Sequence, residues 1–275
     1  RGSPPVPLLH GNPEACTPPL ADHQALRRYA FAGVHYVPAL KAWFYEIPKS
    51  GSTTITRFFG LQNARKSRIR EGQDLSGHVG FALVRNPTCR AVSAFHTAYA
   101  RIAPRTNATG TACPYATFPF ARANISDSEG LLIAMQLLTR QGAQLASPAC
   151  GFGYHHMLTQ SWFLWRSRIR MLYQVTPKDK SLRPSSSAHG ALPPPPTVLL
   201  RLENLEQDLH DFCRARGASA FCDSRIKLNG GMSKLNPSYK TTIDAAARAA
   251  VEEYYRPDFE CLGYPLPHGE PVDCQ

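Results

Sequence analysis

The chain has 275 residues, 43% of them hydrophobic, enough to bury one sizeable core, and single α/β domains commonly reach this length. Its 31 Lys and Arg against 20 Asp and Glu give a formal charge of +11, a field that attracts anions, whether nucleic acid, anionic membrane, nucleotide or sulfated and uronate-rich polymers. No run approaches the roughly 18 apolar residues that span a bilayer, and eight cysteines without a C-x-x-C pair argue against a zinc ribbon or redox motif and for disulfides.

Residues 1–35 carry Pro4, Pro5, Pro7, Pro13, Pro18 and Pro19 with little periodicity and read as an irregular arm. Residues 36–275 read as one domain. Arg1-Gly2-Ser3 has neither an initiator Met nor a signal-peptide profile, so the chain reads as a processed or truncated form whose membrane anchor lies outside it. The aromatic run Ala42 to Ile47 predicts a buried strand stopped by Pro48, and Ile55, Phe58 and Phe59 predict a helix from Ser52 or Thr53. Gly80 to Val84 predicts a second buried strand, and Val92, Phe95, Tyr99 and Ile102 mark the helix entered through Pro87.

Residues 103–127 form a polar insertion, followed by an amphipathic helix from Ser128 to Arg140. Lys178 to Pro196, with Ser185-Ser186-Ser187 and four consecutive prolines, predicts a flexible or extended loop. A strand at Thr197 to Leu202 and helices over Glu203 to Arg216 and Ile243 to Arg256 complete the reading. Strands alternating with helices imply an α/β fold with a mainly parallel sheet, whose ligands sit beyond the carboxyl ends of the strands.

Closeness in sequence pairs Cys213 with Cys222, Cys261 with Cys274 and, third, Cys113 with Cys150, leaving Cys89 as a buried thiol. The sequons at Asn107 and Asn124, with the even cysteine count, place the chain in a secretory-pathway lumen.

Pro48-Lys49-Ser50-Gly51-Ser52-Thr53-Thr54 offers backbone N–H groups, hydroxyls and a lysine between strand and helix, the ingredients of an anion cradle. An ordinary Ser/Thr-capped turn accounts for it equally well when taken alone, and it is no Walker A loop, because the lysine precedes the glycine. Thirty-six residues after Lys49 comes Arg85-Asn86-Pro87-Thr88-Cys89-Arg90-Ala91-Val92-Ser93-Ala94-Phe95, where Arg85 and Ser93 are placed to hold one phosphate.

The ordered pair P-K-S-G-S-T-T and R-N-P-x-x-R-x-x-S-x-F resembles the 5′-phosphosulfate and 3′-phosphate motifs of sulfotransferases that use 3′-phosphoadenosine-5′-phosphosulfate (PAPS). With Tyr99 following, it looks most like the carbohydrate sulfotransferases of the Golgi. Glu203-Asn-Leu-Glu-Gln-Asp208 and the stretch from Glu253 to Tyr264 are similar to later family segments, so the likeness runs from about Trp43 to Tyr264. The resemblance implies a P-loop-like sheet flanked by helices, with loop insertions and disulfides, and no metal.

It further implies that Lys49 contacts the bridging oxygen and the transferring sulfuryl group. Ser50, Gly51, Ser52, Thr53 and Thr54 would hold the 5′ side, and Arg85 and Ser93 the 3′-phosphate. Lys234, in the loop from Asn229 to Asn236, would meet a phosphate when that loop closes. The catalytic base is sought among His155, His156 and then His78, with Glu71 below them; a neutral histidine accepts a proton near pH 7. For each histidine a purely structural role competes. Arg57, Arg65, Lys66, Arg68 and Arg70, and separately Arg166, Arg168 and Arg170, are candidates to line an acceptor groove.

The expected acceptor is an acidic glycan, with a tyrosine in an acidic peptide as the alternative. A lumenal glycan-binding module that has lost turnover is the non-enzymatic rival, opposed by Lys49. A P-loop kinase would want its lysine after the glycines and an Asp at the later strand end, where this chain has Arg85. A nucleic-acid partner is disfavoured by the cysteines, the sequons and the absence of a recognition motif.

Overall fold

The structure is a computed structural model that describes residues 33–61, 75–102, 126–141, 154–164, 173–175, 182–184, 194, 196–228, 243–268, 272 and 274. Strand β1 (Val34–Val37) turns through Pro38–Leu40 into β2 (Ala42–Tyr45), and helix α1 (Ser52–Phe58) follows. Next come β3 (Val79–Val84), α2 (Pro87–Ile102), α3 (Asp127–Gln141) and a 3-10 turn over Tyr154–Met157. That turn leads into helical residues 160–164. Strands β4 (Tyr173–Val175) and β5 (Leu182–Pro184) form a separate antiparallel ladder. The chain then runs through β6 (Pro196–Arg201), α4 (Leu205–Ala215), α5 (Ser219–Leu228), α6 (Ala245–Tyr254) and α7 (Arg256–Leu262).

The main sheet has the order β1-β2-β3-β6. β2, β3 and β6 run parallel, and β1 pairs with β2 antiparallel. Because successive strand residues face opposite sides, the period of two divides the core. Trp43, Tyr45, Ala82, Val84 and Leu199 pack with Val92 and Phe95 of α2, Leu131 and Met135 of α3, Val251 of α6 and Phe259 of α7. Phe44, Phe81, Leu83, Val198 and Leu200 pack with Ile55 and Phe58 of α1 and Leu209 and Phe212 of α4. Apolar side chains on both faces are what a parallel sheet covered by helices requires. The result is an α/β architecture with helices on both sides of a mixed sheet.

Cys213 pairs with Cys222, as their spacing suggests, but Cys274 bonds to Cys89 and not to Cys261, and Cys89 is no free thiol. The C-terminal segment returns to the first turn of α2, a spatial neighbour that sequence proximity does not report. Cys261 is disulfide-bonded as well. The pairing of Cys113 with Cys150 lies outside the described residues.

Helix boundaries differ where proline was read as a stop. Pro257 falls in the first turn of α7, where its missing N–H breaks no helical bond. β5 lies inside the segment Lys178 to Pro196 expected to be a loop, so part of that segment is strand. β1 begins within the 1–35 arm, the rest of which, up to residue 32, is outside the described residues. No helix among the described residues is long and apolar enough to cross a membrane.

Candidate functional site

Parallel pairing of β2, β3 and β6 delivers their carboxyl ends to one edge of the sheet, so the segments starting at Glu46, Arg85 and Leu202 emerge side by side. After β2 the chain makes a tight turn in which Lys49 has φ 67° and Gly51 φ 81°. A left-handed lysine is strained backbone, of the kind that persists where the surroundings over-determine it and that clusters at functional sites. Gly51 is required sterically too, since a Cβ there would approach Leu83 Cδ2 and Leu202 Cδ1 to 2.7 Å each. Ser50, Ser52 and Thr54 are buried and Thr53 is exposed. No side chain caps the start of α1.

The second motif is built differently. Asn86 Oδ1 accepts from the N–H groups of Thr88 (3.0 Å) and Cys89 (3.4 Å), and Asn86 O accepts from Arg90 N at 2.9 Å. The first turn of α2 is therefore capped by its own asparagine, and the side chains of Arg85 and Ser93 beside it are buried, 3% and 6% exposed. The hydroxyl of Thr88, also buried, has no hydrogen-bond partner among the described residues.

Gln160 joins the two motifs. Its Oε1 accepts from Ser50 Oγ at 2.7 Å and from Arg85 N at 2.9 Å, while its Nε2 donates to Arg85 O at 2.7 Å. One buried amide thus grips both loops. Asp258 holds Gln160 in turn, accepting from Gln160 N at 2.7 Å and Ser161 N at 2.8 Å. Burial pushes the Asp258 carboxyl up, against the Arg90 guanidinium and these donors.

Arg90 is fully buried. Its guanidinium donates to Pro48 O (3.0 Å), Leu158 O (2.6 Å) and His156 O (3.1 Å) and lies over the rings of Phe163 and Tyr255. Tyr255 OH donates to Met157 O. At the end of β6, Glu203 accepts from Asn86 N at 2.6 Å and from Tyr264 OH at 3.0 Å, and Asp208 accepts from Arg201 N at 2.6 Å.

The structure therefore brings together Lys49, Ser50, Gly51, Ser52, Thr53 and Thr54 with Arg85 and the start of α2. His156 belongs to the turn that Arg90 grips, four residues before Gln160. His155 lies in the same turn, with its side chain outside the described residues. His78 precedes β3 at the end opposite Arg85 and pairs with Tyr36 OH at 3.0 Å. The six steps of strand between Val79 and Arg85 correspond to about 20 Å. Lys234, Glu71, Arg65, Lys66, Arg68, Arg70, Arg166, Arg168, Arg170 and the sequon asparagines Asn107 and Asn124 lie outside the described residues.

Sequence reasoning assigned no role to Gln160, Arg90, Asp258 or Glu203. The available signal for Gln160 was a polar triplet, Thr159-Gln160-Ser161, inside the otherwise apolar run from Met157 to Leu164. Replacing Gln160 by leucine strands two backbone groups of Arg85 without partners, at about 1–3 kcal/mol for each unsatisfied group. The variant is expected to melt several degrees lower in a thermal scan.

No protein-family model, curated protein or solved structure matches the chain.

Proposed function

We propose that the protein is a PAPS-dependent sulfotransferase built on a P-loop-like sheet, acting on a hydroxyl of an acidic glycan in the Golgi lumen. The observation that carries this reading is the Gln160 amide, which fastens the Lys49 loop and the Arg85 loop to each other at the carboxyl edge of parallel strands. Two anion-binding motifs fixed at one edge suit a ligand with negative charge at both ends, and the buried Thr88 hydroxyl, without a hydrogen-bond partner among the described residues, adds a polar group beside the second. The disulfides support a lumenal setting, and the charge of +11 supports an acidic acceptor.

Bound at this edge, PAPS supplies an activated sulfuryl group that leaves 3′-phosphoadenosine-5′-phosphate behind when it passes to the acceptor oxygen. Lys49 places a positive charge at the leaving oxygen, the kind of preorganised stabilisation that dominates such displacements. Ser50 to Thr54 orient the 5′ side, Arg85 and Ser93 hold the 3′-phosphate, and Lys234 is assigned to the closing loop. The acceptor proton goes to a histidine of the Tyr154–Met157 turn, His155 or His156. His78, at the far end of β3, is set aside for that role.

Calorimetry with 3′-phosphoadenosine-5′-phosphate tests the assignment of the cofactor. Micromolar binding, weaker binding of ATP and a loss of about tenfold or more in Arg85→Ala are expected, since a charge-assisted bond contributes roughly 1.5–3 kcal/mol. Absence of binding to the unmodified protein removes the sulfotransferase reading. A turnover screen with acidic polysaccharides and tyrosine-containing acidic peptides then assigns the acceptor.

A further inference from the structure

The Tyr154–Met157 turn carries both candidate histidines, and a 3-10 turn of four residues is too short to hold itself in place. Its position is set from outside. Three consecutive carbonyls at its end each accept from a buried side chain: His156 O from Arg90 Nη2 at 3.1 Å, Met157 O from Tyr255 OH, and Leu158 O from Arg90 Nη1 at 2.6 Å. Arg90 and Tyr255 are fully buried, and the guanidinium carbon lies 5.9 Å from the centre of the Tyr255 ring.

The remaining guanidinium nitrogen reaches the other loop. Arg90 Nε donates at 3.0 Å to Pro48 O, the carbonyl directly before Lys49. On the other side of Lys49, Ser50 Oγ donates to Gln160 Oε1 at 2.7 Å, and Gln160 follows His156 by four residues. Lys49 is therefore pinned on both flanks, by a residue that grips the histidine turn and by a residue that continues it. A guanidinium is planar and rigid, with its donors at fixed angles, so its plane sets the spacing between Pro48 O and His156 O.

That spacing matters to the proposed reaction. Lys49 serves the leaving oxygen, and the turn's histidine accepts the proton of the attacking hydroxyl and becomes imidazolium. Attacking and leaving oxygens in such a displacement lie roughly in line, so the two residues must meet opposite ends of one reacting group. A misplacement of about 1 Å costs on the order of 10²-fold in rate.

We propose that Arg90 and Tyr255 are positioning residues for this reaction: by holding the carbonyls of His156, Met157 and Leu158 beside the Lys49 loop, they fix the proton-accepting histidine relative to Lys49. The inference rests on the sulfotransferase reading and adds to it the residues that place its base. Both are fully buried and act through the turn, not on the substrate.

The test compares Tyr255→Phe, which removes one donor and keeps the ring, with Arg90→Lys, which keeps the charge and removes the fork. It uses calorimetry with 3′-phosphoadenosine-5′-phosphate, amide hydrogen exchange of the unliganded protein, and single-turnover kinetics with PAPS and whichever acidic polysaccharide or acidic tyrosine peptide the unmodified protein sulfates. Tyr255→Phe is expected to lower the transfer rate roughly tenfold and Arg90→Lys about 10²-fold. Affinity for the bisphosphate should change less than about threefold in Tyr255→Phe, and exchange should quicken in residues 154–161 of both variants. In a His155→Ala, His156→Ala background, Tyr255→Phe should cost less than about twofold, because a positioning residue loses its effect once the group it places is gone.

A merely structural role would lower the rate by the same factor in both backgrounds, or lower bisphosphate affinity as much as rate. Either result, or an unchanged rate in the variants that fold, overturns the inference and leaves the cofactor assignment standing. Full turnover in the background without the two histidines overturns it in the same way, since the turn then holds no base. Absence of bisphosphate binding, or of turnover on both acceptor classes, in the unmodified protein overturns the sulfotransferase reading, and the inference with it.

Discussion

Lys49→Ala is expected to lower turnover with PAPS about 10²–10³-fold, the loss that follows removal of one preorganised group from a developing negative charge. Affinity for 3′-phosphoadenosine-5′-phosphate should fall less than about tenfold, because the 3′-phosphate contacts proposed for Arg85 and Ser93 are untouched and an exposed or half-buried cation adds modestly to binding. Folding should change little. Lys49 is half-buried in a loop, and alanine meets the same left-handed backbone, φ 67°, that lysine already tolerates. Steady-state and single-turnover kinetics check this prediction through a drop in kcat with a small change in binding. Retained turnover would remove Lys49 from the chemistry.

The largest loss of stability is expected for Arg90→Met. The guanidinium supplies donors to the carbonyls of Pro48, His156 and Leu158 and is the cation that offsets the burial of the Asp258 carboxylate. Methionine fills much of the volume but provides no donor, so three carbonyls lose a partner and a buried acid loses its compensating charge. Leaving buried carbonyls without donors costs about 1–3 kcal/mol for each, which for a chain of this size lowers the melting temperature by roughly 10 °C. Calorimetric melting measures the shift. A shift below about 2 °C would mean that this network does not hold the Lys49 loop to the Gln160 segment.

The parts of the fold written in local pattern were legible. The aromatic run at β2, the apolar run at β3 and the i, i+3, i+4 spacing after each predicted two strand-loop-helix units, which the structure contains within a residue or two of the expected limits. β1 was hidden because four residues are too few to show a period beside a proline-rich arm. α5 (Ser219–Leu228) was missed because it is fastened by single contacts, Cys222 to Cys213 and the ring of Phe221 stacked on Phe59, and not by an apolar stripe. The Cys89–Cys274 bond joins residues 185 apart in sequence, a relation that only the folded chain defines.

The candidate site divides along the same line. Lys49 and Arg85 were visible as motif residues, each consistent with an ordinary turn when taken singly. What turns two turns into one site is the Gln160 amide, positioned by Asp258 from α7, and those contacts connect segments 75 and 98 residues apart. His78 illustrates the converse. Its residue type suits a general base, but β3 itself carries it away from Arg85.

The most direct measurement is a crystal structure of the protein with 3′-phosphoadenosine-5′-phosphate. The account predicts one nucleotide across the carboxyl edge of β2 and β3, with its 5′-phosphate at Lys49 and the Ser50–Thr54 segment and its 3′-phosphate at Arg85 and Ser93. A nucleotide bound elsewhere, or one leaving Arg85 and Ser93 untouched, would contradict it.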